Sequence, residues 1–184
     1  MQLKHGIWLF SILACAYAVS AYAERPLETV EAFSIEKYLG RWHQIALLPN
    51  RFQKECVGET TANYSLLSDG KLRVLNRCRI ANGEYIEATG EGRINRRYGD
   101  PARLQVRFAP AWLSWLSLVW GDYWVMSIDE GYSSVVVGTP SREYLWILAR
   151  EPALSETRYQ ELIERAKLAG FTTDRLQREV STPD

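Results

Sequence analysis

The sequence predicts an all-β domain, an eight-stranded antiparallel up-and-down β-barrel with one C-terminal α-helix packed on its outside. Three observations lead to this fold class. Eight short β-type runs follow one another between residues 40 and 150, turn signals separate them, and several runs alternate apolar with polar side chains. This combination is typical of antiparallel strands joined by short connections.

The eight runs are rich in residues that favour extended backbone, and turn-forming residues cluster between them. The runs cover residues 40–48, 60–67, 71–79, 84–95, 102–109, 121–128, 132–138 and 143–150. Turn sequences such as Ser-Asp-Gly at residues 68–70 join consecutive runs, so neighbouring strands are expected to be antiparallel. Eight such strands can close on themselves, which removes the exposed edges of the sheet.

After the eighth run the pattern changes from strand to helix. Pro152 ends the strand, Ser155 is a suitable N-cap, and Gly170 is a suitable stop for a helix that runs to about residue 169. Residues 171–180 are expected to add a short last strand beside the first. One apolar stripe of the helix should pack on the outer wall of the barrel, and it consists of Leu162, Ile163, Ala166 and Ala169.

The N-terminal segment has the pattern of a cleaved export signal. Lys4 precedes an apolar run, and Ala21 and Ala23 offer small residues at the two positions that a signal peptidase inspects. We therefore expect a signal peptide at residues 1–23 and a mature domain at residues 24–184. The mature protein is expected in the periplasm.

Lipidation is a second interpretation of the same segment. Cys15 follows residues 12–14, Ile-Leu-Ala, which resemble a lipobox, a motif whose cysteine is acylated and becomes the mature N-terminus. Leu13 is a poor match at its position, so the sequence leaves cleavage and lipidation both open. Lipidation at Cys15 would anchor the exported protein to the outer membrane.

Charge and cysteine content narrow the function classes. The sequence has 22 basic and 22 acidic residues, and removing Lys4 with the signal leaves 21 against 22. A nucleic-acid partner needs a basic surplus, so this class is not favoured.

Cys56 and Cys78 remain in the mature chain and predict a disulfide. With His43 as the one mature histidine, a zinc site would have too few ligands.

Three short motifs resemble those of the lipocalin family. Gly40-Arg41-Trp42 resembles the Gly-x-Trp signature of the first strand, and Gly121-Asp122-Tyr123 resembles the second motif, with Gly121 as a departure. Arg150, at the end of the eighth run, matches the third motif. Residues 34–180 are similar, in order, to the bacterial branch of the family, which is related to outer-membrane lipocalins and apolipoprotein D.

The resemblance implies roles for the motif residues and for the barrel interior. Gly40, Trp42, Asp122, Tyr123 and Arg150 are expected to be structural. Trp42 is expected to close one end of the barrel, with Arg150 across its indole ring in a cation–π contact. The interior is expected to hold one small hydrophobic ligand, a fatty acid or a lysophospholipid, without a cofactor or a metal.

Antiparallel order predicts which loops surround the open end. The first strand runs away from Trp42, so the loops after strands one, three, five and seven lie at the end opposite to it. Cys56, in the first of these loops, and Cys78, near the end of the third run, both belong there. The hairpin register places Cys56 opposite residue 82 or 83, so the loop is expected to fold back to form the disulfide.

Parity along the strands predicts which side chains line the interior. If Trp42 points inward, every second residue shares its face unless a β-bulge intervenes. The predicted wall consists of Gln44, Ala46, Leu48, Ala62, Tyr64, Leu72, Val74, Leu104, Val106, Phe108, Tyr123 and Val125.

Residues 109–120, called the rim loop below, form the most unusual connection. They carry no charge and include Trp112, Trp115 and Trp120. An apolar stretch at the open end has three candidate surroundings: the barrel itself, a ligand or membrane surface, or a second copy of the chain in a homodimer. Indole rings are typical of a water–lipid boundary, which favours contact with an outer-membrane surface.

These observations predict a non-enzymatic protein that binds and transports or stores a small hydrophobic ligand in the cell envelope. Because parity places His43 on the outer face, a histidine-based catalytic site would have to lie outside the interior. Two alternatives stay open: a lipid-modifying enzyme on the same scaffold, and an envelope protein with a purely structural role.

Overall fold

The computed structural model describes residues 26–179 of the chain. The predicted signal peptide at residues 1–23 and the candidate lipidation site Cys15 lie outside the described residues, as do residues 180–184. Within the described part, no helix is both long enough and apolar enough to cross a membrane.

The described residues form nine β-strands and two α-helices. The helices are α1 (Ile35–Tyr38) and α2 (Glu156–Leu168), and single 3₁₀ turns lie at Ala111–Leu113, Ser117–Val119 and Thr173–Arg175. The strands are β1 (Gly40–Leu47), β2 (Cys56–Leu66), β3 (Leu72–Ile80), β4 (Tyr85–Ile94), β5 (Arg103–Arg107), β6 (Gly121–Ile128), β7 (Ser134–Gly138), β8 (Leu145–Ala149) and β9 (Gln177–Arg178). Strands β1 to β8 correspond to the eight predicted runs, and β9 is the predicted last strand.

The strands form one antiparallel sheet that closes on itself. Each strand from β2 to β7 pairs with the next in sequence, and β1 pairs with both β8 and β2, which completes the predicted barrel. The pairing of β1 with β2 covers residues 40–43, and further along β1 pairs with β9 through Ala46 and Leu47. Toward the open end β1 and β2 are no longer paired, and this gap is called the seam below. β9 covers the seam by pairing with β1.

Two apolar clusters stabilise the sheet, one on each face. The inner cluster fills the barrel around Trp42, Tyr64 and Leu104. The outer cluster packs α2 against outward side chains of β1, β7 and β8, and it buries Leu162 and Ala166 of the helix. The helix therefore covers the outer wall, as the sequence predicts.

The ends of α2 follow from its capping residues. The hydroxyl of Ser155 accepts a hydrogen bond from the backbone N–H of Arg158 at 3.3 Å, which satisfies one of the free donors of the first turn. Gly170 adopts a positive φ of 86°, and its N–H donates to the carbonyl of Lys167 at 2.8 Å. This left-handed residue ends the helix at the predicted position.

Trp42 and Arg150 close one end of the barrel. Trp42 is completely buried, and its indole N–H donates to the carbonyl of Tyr38 at 2.8 Å. The guanidinium carbon of Arg150 lies 3.9 Å from the centre of the Trp42 ring, so the predicted cation–π contact is present. The guanidinium also donates to four backbone carbonyls, those of Lys37, Leu39, Arg41 and Tyr132.

Gly40 is required beside this contact. Its φ is +94°, a conformation that L side chains rarely adopt, and an added Cβ would lie 3.4 Å from Arg150 Nη1. The first glycine of the sequence motif is thus required by its backbone conformation, whereas the space beside Arg150 would admit a Cβ.

Cys56 and Cys78 form the predicted disulfide, but by a different route from the one expected. Cys56 is the first residue of β2 and pairs with Ile80, so it does not lie in a loop opposite residue 82 or 83. Two register shifts in β2, on either side of Gly58, each add one residue to this strand. The added residues bring the two cysteine Cα atoms to 5.5 Å.

Replacing Arg150 should test how strongly the closed end depends on it. We expect Arg150→Met to lower the free energy of unfolding by about 2 to 4 kcal/mol, because four hydrogen bonds from a charged donor and the cation–π contact are lost. Urea denaturation of both proteins measures the difference. Arg150→Lys keeps the charge but not the planar guanidinium group, so it should lower the free energy of unfolding by an intermediate amount. A loss under about 0.5 kcal/mol for Arg150→Met would contradict this role.

Candidate functional site

Strand pairing and burial identify the side chains that face the barrel interior. Gln44 pairs with Leu148 of the inner cluster, so it faces inward as predicted. The inward position of most of the predicted wall is likewise confirmed, although its contact with a ligand stays a prediction. The residues that belong to the inner cluster or pack against it are Ala62, Tyr64, Leu72, Val74, Leu104, Val106, Tyr123 and Val125.

The inward prediction is wrong for Ala46 and Leu48. The β1–β8 ladder shifts register between Gln44 and Ala46, so Ala46 pairs with Ile147 of the outer cluster. Leu48 belongs to the same outer cluster, and Leu47 takes the next inward position on β1. A bulge inserts one residue and reverses the parity of everything after it, which the sequence pattern did not reveal.

The closed half of the barrel is filled, whereas the open half is lined by exposed apolar side chains. Along the inner face of β5, exposure rises from 1% at Leu104 to 45% at Phe108, just beyond the strand end. Ala88 and Ile86 occupy inward positions of β4, and both are exposed. Inward side chains toward the open end are therefore more exposed than those at the closed end.

Three buried tyrosines, Tyr38, Tyr64 and Tyr123, meet inside the barrel and are called the tyrosine cluster below. The hydroxyl of Tyr123 lies 2.7 Å from that of Tyr38 and 2.8 Å from that of Tyr64. Burial raises the pKa of Tyr64 to about 12 and raises the pKa values of Tyr38 and Tyr123 well above 10, because an ionised phenol loses its hydration there. All three therefore remain neutral hydrogen-bonding groups at physiological pH.

A chain of polar side chains crosses the seam between β1 and β2. The indole N–H of Trp146 donates to Gln53 Oε1 at 2.9 Å, and Gln53 Nε2 donates to Gln44 Oε1 at 2.8 Å. Gln44 Nε2 in turn donates to Glu179 Oε2 at 2.9 Å, while the other carboxylate oxygen accepts the backbone N–H of Thr60 at 2.5 Å. These bonds tie the first loop and the C-terminal strand to the inner wall.

Gln53 and Glu179 were not among the predicted site residues. Burial raises the pKa of the Glu179 carboxyl above its usual 4.5, and the neighbouring Glu59 adds to this. No sequence signal marks either residue, because a polar side chain in a loop or at a chain end is ordinarily in water. Only the tertiary fold brings them to the seam.

Inward positions of the eight barrel strands carry no charged side chain in the described chain. The charged side chains of β4 to β6 lie on the outer face, where Arg107 contacts Glu91 at 2.7 Å and Asp122 lies opposite Gln105. An ionic group inside the barrel would therefore be desolvated without a counter-ion, which is costly. The wall suits a neutral, mainly apolar molecule.

The rim loop presents three large apolar side chains to solvent at the open end. Trp112 is 73% exposed, Trp115 is 78% exposed and Leu118 is 81% exposed. Single exposed apolar residues are normal on a protein surface, but three on one short uncharged segment form a patch. The self-packing interpretation therefore does not hold for Trp112 and Trp115.

Trp120 differs from the other two tryptophans, because it is only 7% exposed. The guanidinium of Arg93 lies 3.7 Å from the centre of its ring, and that of Arg107 lies 5.3 Å away. The indole N–H donates to the carbonyl of Ser114 at 2.8 Å. The predicted surface contact is thus wrong for Trp120, which anchors the rim loop to the outer wall.

Comparisons with known proteins agree with this geometry. A family model described as "Lipocalin-like domain" matches residues 33–181. The chain is 37% identical over 156 residues to Temperature-induced lipocalin-1 of Arabidopsis thaliana, covering 84% of this chain and 83% of the relative. It is 32% identical over 163 residues to Outer membrane lipoprotein Blc of Escherichia coli, covering 88% and 85% of the two chains.

Two further matches extend the similarity. Apolipoprotein D of Mus musculus is 34% identical over 131 residues, covering 67% of this chain and 64% of the relative. Insecticyanin from the tobacco hornworm Manduca sexta has a solved structure that matches with a TM-score of 0.65 at 18% identity, covering 85% of each chain. The structural match supports the fold alone.

Substitutions in the rim loop should separate its anchor from its exposed residues. We expect Trp120→Ala to lower the free energy of unfolding by about 3 kcal/mol, because a buried indole, its hydrogen bond and its arginine contacts are lost. The double variant Trp112→Ser/Trp115→Ser should stay within about 0.5 kcal/mol of the unmodified protein. Urea denaturation measures both. Equal losses in the two variants would show that all three tryptophans are structural.

Proposed function

The chain belongs to the lipocalin family, known for binding small hydrophobic ligands, and from this premise we propose that it carries or stores a fatty acid or a lysophospholipid in the cell envelope. The observation that supports this proposal concerns the inward side chains. Those at the closed end are buried, whereas those toward the open end are apolar and exposed. A single acyl chain enters such a space with its charged headgroup remaining near water.

The energetics of burial are sufficient for this role. Each methylene removed from water contributes about 0.8 kcal/mol, so ten of them give about 8 kcal/mol before the cost of ordering the chain. Because about 8 kcal/mol corresponds to a dissociation constant near 1 μM, ten methylenes alone give an affinity weaker than that once the cost is subtracted, and a longer chain brings it into the micromolar range. The uncharged wall explains why the headgroup stays outside, since an anion has no buried cation to meet.

A carrier rather than an enzyme is the function we favour. His43 pairs with Ala149 of the outer cluster, so it lies on the opposite face from the wall. The tyrosine cluster is held neutral, and neutral phenols are weak general bases at physiological pH. The inward side chains therefore bind and orient better than they transfer protons.

An envelope location is supported from two directions. The N-terminal segment has the pattern of an export signal, with Cys15 as a second candidate for processing. Several relatives carry the name Outer membrane lipoprotein Blc. A disulfide, which persists in oxidising compartments, agrees with export.

Filling the open half of the barrel should weaken ligand binding. We expect a dansylated fatty acid to saturate at about one molecule per chain and to be displaced by oleate and by lysophosphatidylcholine. Ala88→Trp, which places a large ring in the open half, should weaken binding of the probe at least about tenfold. Fluorescence titration measures the affinities.

Thr89→Trp is the matched control for this experiment. Thr89 is the next residue of β4 and lines a shallow groove on the outer face, so the same substitution leaves the interior unchanged. The probe should bind this variant as it binds the unmodified protein. Absence of saturable binding, or equal effects of the two variants, would rule out a ligand inside the barrel.

We further propose that the rim loop touches a membrane surface from which the ligand is taken or to which it is delivered. Trp112 and Trp115 lie at the entrance to the open half, and no charge within residues 109–120 opposes contact with lipid. Indole rings partition well into the interface between headgroups and acyl chains. Trp120 is buried and anchors the rim loop to the outer wall, so it holds the two exposed rings in place.

Removing the two exposed rings should weaken membrane association. We expect Trp112→Ser/Trp115→Ser to lower the fraction bound to vesicles of phosphatidylethanolamine and phosphatidylglycerol at least about fivefold, since each buried apolar side chain contributes roughly 1.5 to 3 kcal/mol. Cosedimentation measures the bound fraction. Leu168→Ser removes another exposed apolar side chain, on α2, and should have no effect. Unchanged vesicle binding, together with loss of a homodimer in sedimentation equilibrium, would make the patch a subunit contact instead.

A further inference from the structure

A row of aromatic side chains leads from the tyrosine cluster to the edge of the open end. Between ring centroids, Tyr123 is 6.4 Å from Trp146, and Trp146 is 6.0 Å from Tyr144. Phe52 continues the row at 5.5 Å from Tyr144. Exposure rises from 8% at Tyr123 to 64% at Phe52. These four residues, called the aromatic row below, connect the buried interior with water through mainly apolar surface.

The aromatic row lies on the inner face of the barrel. Along β8, Leu145 belongs to the outer cluster, whereas Trp146 packs against the inner cluster. Because side chains alternate between the two faces of a strand, Tyr144 shares the inner face with Trp146. A chain-like ligand that enters from the open end therefore meets the row along its path.

Arg51 lies at the outer end of the aromatic row. Its guanidinium carbon is 5.0 Å from the centre of the Phe52 ring. Arg51 is exposed, and no acidic side chain of residues 26–179, including Glu55 of the same loop, forms an ion pair with it. Its five N–H donors can therefore meet an anion that is not part of the protein.

The loop that carries Arg51, residues 48–55, is ordered by its own side chains. The side-chain oxygen of Asn50 accepts the backbone N–H groups of Phe52 at 3.0 Å and of Gln53 at 3.2 Å. Gln53 in turn accepts the indole N–H of Trp146, a member of the aromatic row. The backbone at Arg51 is therefore fixed relative to the row, which lowers the cost of ordering this group when a ligand binds.

Other basic side chains around the open end have partners within the protein. These pairs are Arg79 with Glu59, Arg107 with Glu91, and Arg142 with the carbonyl of Ala169. Lys54 lies in the same loop as Arg51 and is exposed without an ion pair in the described chain, but it makes no cation–π contact with the aromatic row. Of these two free cations, Arg51 is thus the one that adjoins the row.

We infer that Arg51 binds the anionic headgroup of the ligand while the acyl chain lies along the aromatic row. The inference rests on the proposed function and names the headgroup as a carboxylate or a phosphate. A planar guanidinium can donate two parallel hydrogen bonds to either group. Because the contact lies at the surface, it contributes modestly to affinity and mainly selects anionic over neutral ligands.

Three ligands with the same number of carbon atoms test the inference: dodecanoate, dodecyl phosphate and 1-dodecanol. We expect Arg51→Gln to weaken at least one of the two anions about threefold to fivefold, the upper range for an exposed charge pair, and to leave 1-dodecanol unchanged. Displacement of the dansylated fatty acid from each protein gives the dissociation constants. The anion that loses more affinity identifies the headgroup.

Two further variants separate the position of the charge from its presence. Lys54→Gln is the matched control, because it removes one positive charge from the same loop without altering the aromatic row. All three dissociation constants should stay close to those of the unmodified protein in this control, with salt screening charges that are not in contact. Arg51→Lys keeps the charge without the paired donors, so it should recover part of the loss.

The outcomes separate this inference from the proposed function. If Arg51→Gln leaves both anions unchanged, or weakens 1-dodecanol as much as the anions, the headgroup site is overturned while lipid binding stands. Equal losses in Arg51→Gln and Lys54→Gln would also overturn it, since net charge alone would then explain the effect. If none of the three ligands binds the unmodified protein, the proposed function fails and takes the inference with it.

Discussion

Closure of the sheet through β1 is the constraint on which the rest of the structure depends. One edge of β1 pairs with β8, while the other edge pairs with β2 near the closed end and with β9 near the open end. The bulge after Gln44 lets a single strand meet all three partners, because it bends the backbone and reverses the direction of the side chains. As a result, β1 fills the closed end with Trp42 and contributes Ala46 to the outer cluster under α2.

The strands are consequently held together by different means at the two ends of the barrel. At one end Arg150 joins four backbone carbonyls to the face of Trp42, so that backbone and side chains are fixed together. At the other end β1 and β2 no longer pair, and the short strand β9 bridges the seam together with the side chains of Gln44, Gln53 and Glu179. Few backbone hydrogen bonds cross the seam, so this end is expected to open at lower free energy than the sealed end.

Much of this arrangement was predictable from the sequence, since strands, helix ends and motifs depend on local patterns. Periodicity and turn residues identify the eight strands, and Ser155 and Gly170 mark the ends of α2. What failed depends on contacts between distant residues. Ile45 and Ala46 are both apolar, so the bulge that turns Ala46 outward leaves no trace in the pattern. Trp120 is likewise indistinguishable from Trp112 until Arg93 and Arg107 are brought to its ring.

An interior that is open and apolar on one side has a consequence for stability. Apolar side chains left exposed in the open half, such as Phe108 and Ile86, contribute little until another molecule covers them. A ligand that binds only the folded chain at a hundred times its dissociation constant adds about 2.7 kcal/mol, a substantial fraction of the total for a domain. If the fold depended on that contribution, the chain would unfold whenever such a ligand dissociated. Stability must therefore come from parts that the ligand does not touch, and the sealed end at Trp42, together with the outer cluster under α2, provides it.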